Sequence, residues 1–157
     1  MTVIVYRDGI IAADTWVTAG DMVVGEVSKI ISNKHGLWGA SGHLTDMGKF
    51  HEWADSDELC PDIFEKMGFD DFFGMYIDNE GMIFYFDHLS KGIPTPVIAK
   101  YAAVGSAQHV AAGALEVGAS AIEAVKAVAR VVPDIGGHVE SIVLGSEGQV
   151  TRERLEK

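Results

Sequence analysis

The chain has little cysteine, few basic residues and no long apolar run. Cys60 is the one cysteine among its 157 residues, so no disulfide can form within the chain. Lysine and arginine together number 12 against 23 acidic residues, which gives a formal net charge of -11 at pH 7. Because nucleic acid and anionic membrane surfaces would repel such a chain, we expect neither as a partner. The lack of a membrane-spanning apolar run or a secretory signal predicts a cytoplasmic protein.

The remaining composition is that of one globular domain. Hydrophobic residues make up 48% of the sequence, which is ample for a single core at this length. No repeat, low-complexity tract or linker interrupts the chain, so we expect residues 2–157 to form one domain. The six histidines are scattered without the spacing of a zinc site, and we expect no metal or other cofactor.

The first two residues, Met1 and Thr2, carry the most informative chemistry. Removal of Met1 would leave a threonine with a free α-amine beside its hydroxyl. A threonine hydroxyl is a weak nucleophile, but an α-amine titrates near pH ~8 and can take its proton at neutral pH. One residue would then supply both a nucleophile and its base. Many proteins begin Met-Thr, so the remaining sequence must support this interpretation.

Two charged residues are placed to support Thr2. An Asp-Gly turn joins two short apolar strands, and the resulting hairpin would bring Asp14 back beside Thr2. Lys29 lies in an apolar strand pattern at residues 28–32, where a lysine is costly unless its charge is paired. An ion pair of Asp14 with Lys29 would satisfy both charges and ease deprotonation of the threonine hydroxyl. Two unrelated surface charges are the alternative interpretation of the same spacing.

Hydrophobic periodicity predicts several further elements. Apolar residues at helical spacing predict three helices, at residues 44–54, 106–117 and 121–132. A capping box, Ser120-x-x-Glu123, marks the start of the third helix. Apolar strands around turn residues predict hairpins at residues 72–86 and 139–152. This order of strands and helices favours two stacked antiparallel sheets with helices on the outside.

Several short motifs follow one another in a fixed order. They are Thr2 opening a strand, the Asp-Gly hairpin leading to Asp14, Thr18, Val27-x-Lys29, Gly39-Ala40-Ser41-Gly42, Thr45-Asp46 and Val104-Gly105-Ser106. Their ordered combination resembles the threonine-type N-terminal nucleophile hydrolases, the family of the proteasome β subunits and the bacterial proteasome-like peptidase HslV. The resemblance covers most of the chain. It implies an α+β fold, a four-layer αββα sandwich of two stacked antiparallel sheets with outer helices.

The resemblance also implies roles for individual residues. Thr2 would be the nucleophile, and the Gly42 N–H would form the oxyanion hole. The catalytic residues would be Thr2, Asp14, Lys29, Ser106 and Asp134, with the last two near the threonine amine. Substrate would bind along the strand edges at Thr18 and Gly42. The pocket for the residue before the scissile bond would be apolar throughout and lined by Val17, Val27, Ile31, Ala40 and Leu44.

The function implied by the resemblance is that of a threonine-type endopeptidase. It would cleave unfolded protein or peptide substrates through an acyl-enzyme on Thr2, inside a homo-oligomeric ring. An unfolding ATPase is a possible partner. Two alternatives stay open: a catalytically silent ring or scaffold subunit that retains Met1, and a small-molecule amidohydrolase with the same nucleophile.

Overall fold

Twelve strands and four helices follow one another in the computed structural model, which describes residues 1–157. The strands are β1 (Ile4–Arg7), β2 (Ile10–Asp14), β3 (Trp16–Ala19), β4 (Met22–Glu26), β5 (Ile30–Asn33), β6 (Gly36–Gly42), β7 (Phe72–Asp78), β8 (Ile83–Asp87), β9 (Thr95–Val97), β10 (Tyr101–Val104), β11 (His138–Val143) and β12 (Val150–Arg154). The helices are α1 (Leu44–Ala54), α2 (Pro61–Met67), α3 (Gln108–Glu116) and α4 (Ala121–Val131). None of these helices combines the length and the apolar composition needed to cross a membrane.

The strands pair in antiparallel fashion into three sheets. The first sheet has the order β10-β1-β2-β11-β12, and the second has the order β5-β6-β7-β8-β9. Asp8 and Gly9 connect β1 to β2 with φ angles of 50° and 82°, as a type I′ hairpin turn requires. The predicted first hairpin is therefore confirmed. Its register pairs Ile4 with Ala13, so that Asp14 lies opposite the residue that follows Thr2.

Strands β3 and β4 form the third sheet and pair only with each other. A hydrogen bond from Thr15 Oγ1 to Glu26 Oε1 closes the base of this hairpin. His138 Nδ1 lies 2.7 Å from the same carboxylate oxygen and ties the hairpin to β11. The outer strand is exposed along its whole length, including the apolar side chains of Met22, Val23 and Val24.

Three apolar clusters hold these elements together. One joins α3 and α4 to the first sheet, and another lies where the two five-stranded sheets face each other. The third lies between the second sheet and helices α1 and α2, and it is largely aromatic. At its centre the fully buried Trp38 stacks on Tyr76, with 4.0 Å between ring centroids. The Trp38 indole N–H donates to Asn33 Oδ1 at 3.0 Å, so burial leaves no polar group of this ring unpaired.

The predicted four-layer αββα sandwich, with two stacked antiparallel sheets between outer helices, is wrong. The structure has three sheets rather than two, and its four short helices contain only 24% of the residues. Helix α2 has only seven residues, packs against α1 and buries one side chain, Phe64, in the aromatic cluster. The fold is a mixed arrangement of helices and strands in which antiparallel strands dominate.

The bounds of individual helices agree with the sequence predictions, although the predicted architecture does not. Helix α1 has the predicted bounds, and α4 begins at the predicted cap, where Ser120 Oγ accepts the Glu123 N–H at 3.1 Å. Helix α3 begins at Gln108, two residues later than predicted. No sequence pattern indicated α2, the third sheet, or strands β9 and β10.

Phe50→Ala is expected to lower the free energy of unfolding by about 3–5 kcal/mol. The reason is that it removes a fully buried ring that packs against Trp38, Phe72 and Phe86. Urea denaturation measures the loss. Leu89→Ala is the control, because that side chain is 73% exposed and its loss should cost less than about 0.5 kcal/mol. Equal losses for the two variants would contradict the aromatic core.

Candidate active site

Thr2 lies just before β1, where two pockets adjoin. The smaller pocket has a volume of about 240 Å³ and the larger about 500 Å³. Three residues line both pockets: Met1, Thr2 and Gly42. A ligand that spans the two pockets would therefore pass directly over Thr2.

The backbone of Thr2 is held by the turn that follows β10. The Thr2 N–H donates to Ser106 Oγ at 3.0 Å, and the Ala107 N–H donates to the Thr2 carbonyl oxygen at 3.2 Å. Gly105 has a φ of +105°, and a Cβ there would overlap the Thr2 carbonyl group. Glycine is thus required for this approach. Ser106 lies at the Thr2 nitrogen, and its catalytic role stays a prediction.

A buried ion pair lies beside Thr2. Lys29 Nζ is 2.9 Å from Asp14 Oδ1, and the two side chains are 2% and 0% exposed. The same carboxylate oxygen accepts the Val3 N–H at 3.1 Å, whereas Asp14 Oδ2 is buried without a hydrogen-bond partner. Lys29 Nζ also donates to the Met1 carbonyl oxygen at 3.3 Å. The ammonium therefore reaches the peptide bond that joins Met1 to Thr2.

Burial governs the protonation of this pair. Burial lowers the pKa of Lys29 and raises the pKa of Asp14, and the opposite charge of the partner offsets part of each shift. A lysine with a lowered pKa releases its proton more readily than a lysine in water. Each charge in this buried place therefore depends on the other, because either group alone would be easier to neutralise.

Met1 occupies the approach to Thr2. Its ammonium group donates to Thr18 Oγ1 at 2.9 Å, and its carbonyl oxygen is bound by Lys29. While Met1 is attached, the Thr2 nitrogen belongs to an amide and cannot act as a base. Cleavage of the bond between Met1 and Thr2 is thus needed before that nitrogen can accept a proton.

Gly42 ends β6 at the junction of the two pockets. Its φ is +117°, and a Cβ there would overlap the carbonyl oxygen of Asp71. A backbone N–H that stabilises an oxyanion must lie next to the nucleophile, and Gly42 lines both pockets together with Thr2. Its assignment to the oxyanion hole stays a prediction.

The predicted substrate residues separate into two groups. Val17, Thr18 and Leu44 line the smaller pocket. Three others do not line it: Ala40 is buried in the aromatic cluster, Ile31 packs against that cluster, and the Val27 N–H donates to the Thr15 carbonyl oxygen. Their assignment to the pocket stays a prediction.

The smaller pocket is also less apolar than predicted. Lys29 contributes a cation, and His43 contributes a polar ring. Two apolar lining residues were missed, Trp16 and Met47. Helical spacing could have revealed Met47, because it lies three residues after Leu44 and shares its face of α1. No comparable signal marked Trp16.

Asp134 lies outside the linings of both pockets. It lies in the turn between α4 and β11 and makes no hydrogen bond to Thr2 or Ser106. Its charge acts instead on Lys157, whose Nζ donates to the carbonyl oxygens of Val132 and Ile135. The predicted place of Asp134 near the threonine amine stays a prediction.

Comparison with known proteins adds no assignment to this geometry. No protein-family model matches the chain, and no curated protein matches it either. Nowhere in residues 1–157 do three or more His, Cys, Asp or Glu side chains converge as metal ligands would. A functional proposal must therefore be argued from the residues around Thr2.

Lys29→Ala is expected to lower the free energy of unfolding by about 3–5 kcal/mol at pH 8, because it leaves the Asp14 charge buried and unpaired. Without Lys29, the folded-state pKa of Asp14 rises further above its unfolded value of about 4. The loss should be full above the folded-state pKa and should disappear as the pH falls towards the unfolded value. Urea denaturation of variant and wild type at pH 8 and pH 5 measures this.

Lys34→Ala is the matched control for Lys29→Ala. Lys34 pairs with Asp57 at 2.8 Å, but both side chains are exposed, so its loss should cost less than about 1 kcal/mol. Similar losses for the two lysine variants, without a difference between pH 8 and pH 5, would contradict the buried pair.

Proposed function

We propose that this protein is a threonine-type endopeptidase whose nucleophile is Thr2, exposed as the N-terminal residue once Met1 is removed. The observation that carries the proposal is the convergence on Thr2 of the Ser106 hydroxyl and the buried pair of Asp14 and Lys29, where two pockets adjoin. Amide hydrolysis requires a nucleophile, a base and a charge-stabilising group in this proximity. The order of motifs that resembles the proteasome β-subunit family supports the same proposal.

Hydrolysis proceeds through an acyl-enzyme. The Thr2 hydroxyl attacks the substrate carbonyl carbon, and the Thr2 amine takes the hydroxyl proton directly or through water. The Gly42 N–H stabilises the negative charge that develops on the carbonyl oxygen. When the tetrahedral intermediate collapses, the carbon–nitrogen bond breaks and the ammonium group of Thr2 returns its proton to the leaving amine. Water then attacks the ester, releases the acyl group as a carboxylic acid and restores the hydroxyl of Thr2.

An extended peptide suits this site because a pocket lies on each side of Thr2. The smaller pocket takes the side chain before the scissile bond, against Val17, Leu44 and Met47. The larger pocket takes the residues that follow, against Phe73 and the 105–106 turn. This pairing of pockets favours peptide and unfolded protein over compact amides as substrates.

The peptidase works in the cytoplasm as a homo-oligomeric ring, with an unfolding ATPase as a possible partner. These features of the proposal come from the family resemblance. Exposed apolar side chains on β4, such as Met22 and Val24, are available for contacts between subunits. Native mass spectrometry measures the number of subunits, and a protein that is monomeric at all concentrations would contradict the ring.

A catalytically silent ring or scaffold subunit is the second candidate. The contacts of Met1 favour it, because both the ammonium and the carbonyl oxygen of this residue are bound. Intact-mass measurement of protein from its native source separates the candidates. The peptidase requires a chain that begins at Thr2, whereas the silent subunit retains Met1.

Thr2→Ala is expected to abolish peptide hydrolysis, because no hydroxyl remains to form the acyl-enzyme. Thr2→Ser should keep measurable activity, since serine also carries a hydroxyl group on Cβ. The assay is release of a fluorophore from a peptide, with protein whose mass shows that Met1 is absent. Thr151→Ala removes an exposed threonine from β12 and should match the wild type. Hydrolysis by Thr2→Ala at the wild-type rate would exclude Thr2 as the nucleophile.

Cleavage is expected to be faster after leucine or tyrosine than after lysine or arginine. Apolar side chains gain about 0.8 kcal/mol for each methylene buried in the smaller pocket, whereas a cation there meets the ammonium of Lys29. A series of fluorogenic peptides that differ in this one residue gives the relative values of kcat/KM. Met47→Ala enlarges the pocket and should shift the preference towards aromatic residues. A preference for arginine would show that this pocket does not hold that residue.

A further inference from the structure

The turn before β7 is held by one buried carboxylate. Asp46 is 2% exposed, and its Oδ2 accepts the N–H of Asp70 at 2.9 Å and the N–H of Asp71 at 2.7 Å. The Asp71 carbonyl oxygen in turn accepts the His43 N–H at 3.0 Å. These bonds form a closed circuit, since His43 and Asp46 belong to the same first turn of α1.

Gly42 is coupled to this circuit through its neighbour His43 and through its strand partner Phe72. Its backbone lies so close to Asp71 and Phe72 that a Cβ would overlap atoms of both residues. The positive φ of Gly42 is compatible with this contact only because glycine has no side chain. A displacement of Asp71 would therefore displace Gly42, which lines both pockets beside Thr2.

We propose that Asp46 is a positioning residue that sets the place of the Gly42 N–H beside Thr2. The proposal rests on the proposed function, because it takes the Gly42 N–H as the group that stabilises the oxyanion. Asp46 itself lines neither pocket, so it acts through the turn at residues 70–71. Its two hydrogen bonds hold that turn, and the turn holds Gly42.

Asp46 also has a general role that must be separated from this one. A carboxylate in the first turn of any helix interacts favourably with the helix N-terminus. Asp62 lies in the first turn of α2, is exposed and makes no side-chain hydrogen bond, so Asp62→Ala reports the general effect alone. Because both hydrogen bonds of Asp46 go to one oxygen, the amide oxygen of Asp46→Asn can accept them without the charge. Asp46→Ala and the similarly sized Asp46→Leu provide no acceptor.

The first measurement determines whether substitution of Asp46 changes kcat or KM. Asp46→Ala should lower kcat for a fluorogenic peptide about 10- to 100-fold and change KM by less than about threefold, because the oxyanion contact forms only in the transition state. Asp46→Asn should recover most of kcat, and Asp62→Ala should equal the wild type. Asp46→Leu replaces Asp46→Ala if the latter does not fold, as judged by urea denaturation. If folded Asp46→Ala or Asp46→Leu has the wild-type kcat, the proposal is overturned. An equal loss of kcat in Asp62→Ala would also overturn it.

The second readout does not depend on activity. Amide hydrogen exchange is measured by NMR in proteins that all carry Thr2→Ala. Adding Asp46→Ala should speed exchange at His43, Asp70 and Asp71 at least tenfold relative to adding Asp62→Ala, because their hydrogen bonds depend on the carboxylate. Unchanged exchange at His43 would overturn the proposal. If wild-type protein without Met1 cleaves no peptide, the proposed function fails, and exchange still decides whether Asp46 holds this turn.

Discussion

The buried contact between Lys29 and Asp14 joins the two five-stranded sheets at the place where Thr2 lies. Asp14 ends β2 of the first sheet, and Lys29 directly precedes β5 of the second. Either charge alone would face a desolvation penalty of several kcal/mol, so the pair holds the end of β2 and the start of β5 at one separation. That separation places the Lys29 ammonium at the Met1 carbonyl and the Val3 N–H at the Asp14 carboxylate. One electrostatic constraint thus positions both Thr2 and the peptide bond that precedes it.

Around this pair, backbone contacts rather than side chains shape the site. Gly105 brings a turn onto the Thr2 carbonyl group, and Gly42 brings the end of β6 onto Asp71. Both glycines have positive φ angles, which would strain any other residue. A Cβ at either position would also overlap neighbouring backbone atoms. Since backbone groups next to tight turns move little, such contacts can hold an N–H at a fixed distance from a reacting atom, as preorganised catalysis requires.

Local chemistry was predictable from the sequence, but tertiary pairing was not. The Asp-Gly turn and the Ser120 cap follow from short patterns, and a lysine in an apolar strand needs a partner wherever it lies. The predicted architecture is wrong because no pattern in the sequences of β3 and β4 indicates that these strands pair only with each other. Adjacent strand residues face opposite sides, so Ser41 lines the larger pocket while Ala40 packs among aromatic rings.

The separate hairpin of β3 and β4 contributes Trp16, Val17 and Thr18 to the smaller pocket. It contributes no strand to either five-stranded sheet and is tied at its base through Glu26. Its outer residues can therefore be exchanged or lengthened without breaking a hydrogen bond of the ladders that hold Thr2. In an evolving lineage, the shape of the smaller pocket and the setting of Thr2 would then be inherited as separable traits, since mutations in one surface hairpin could alter the first while the second stays intact.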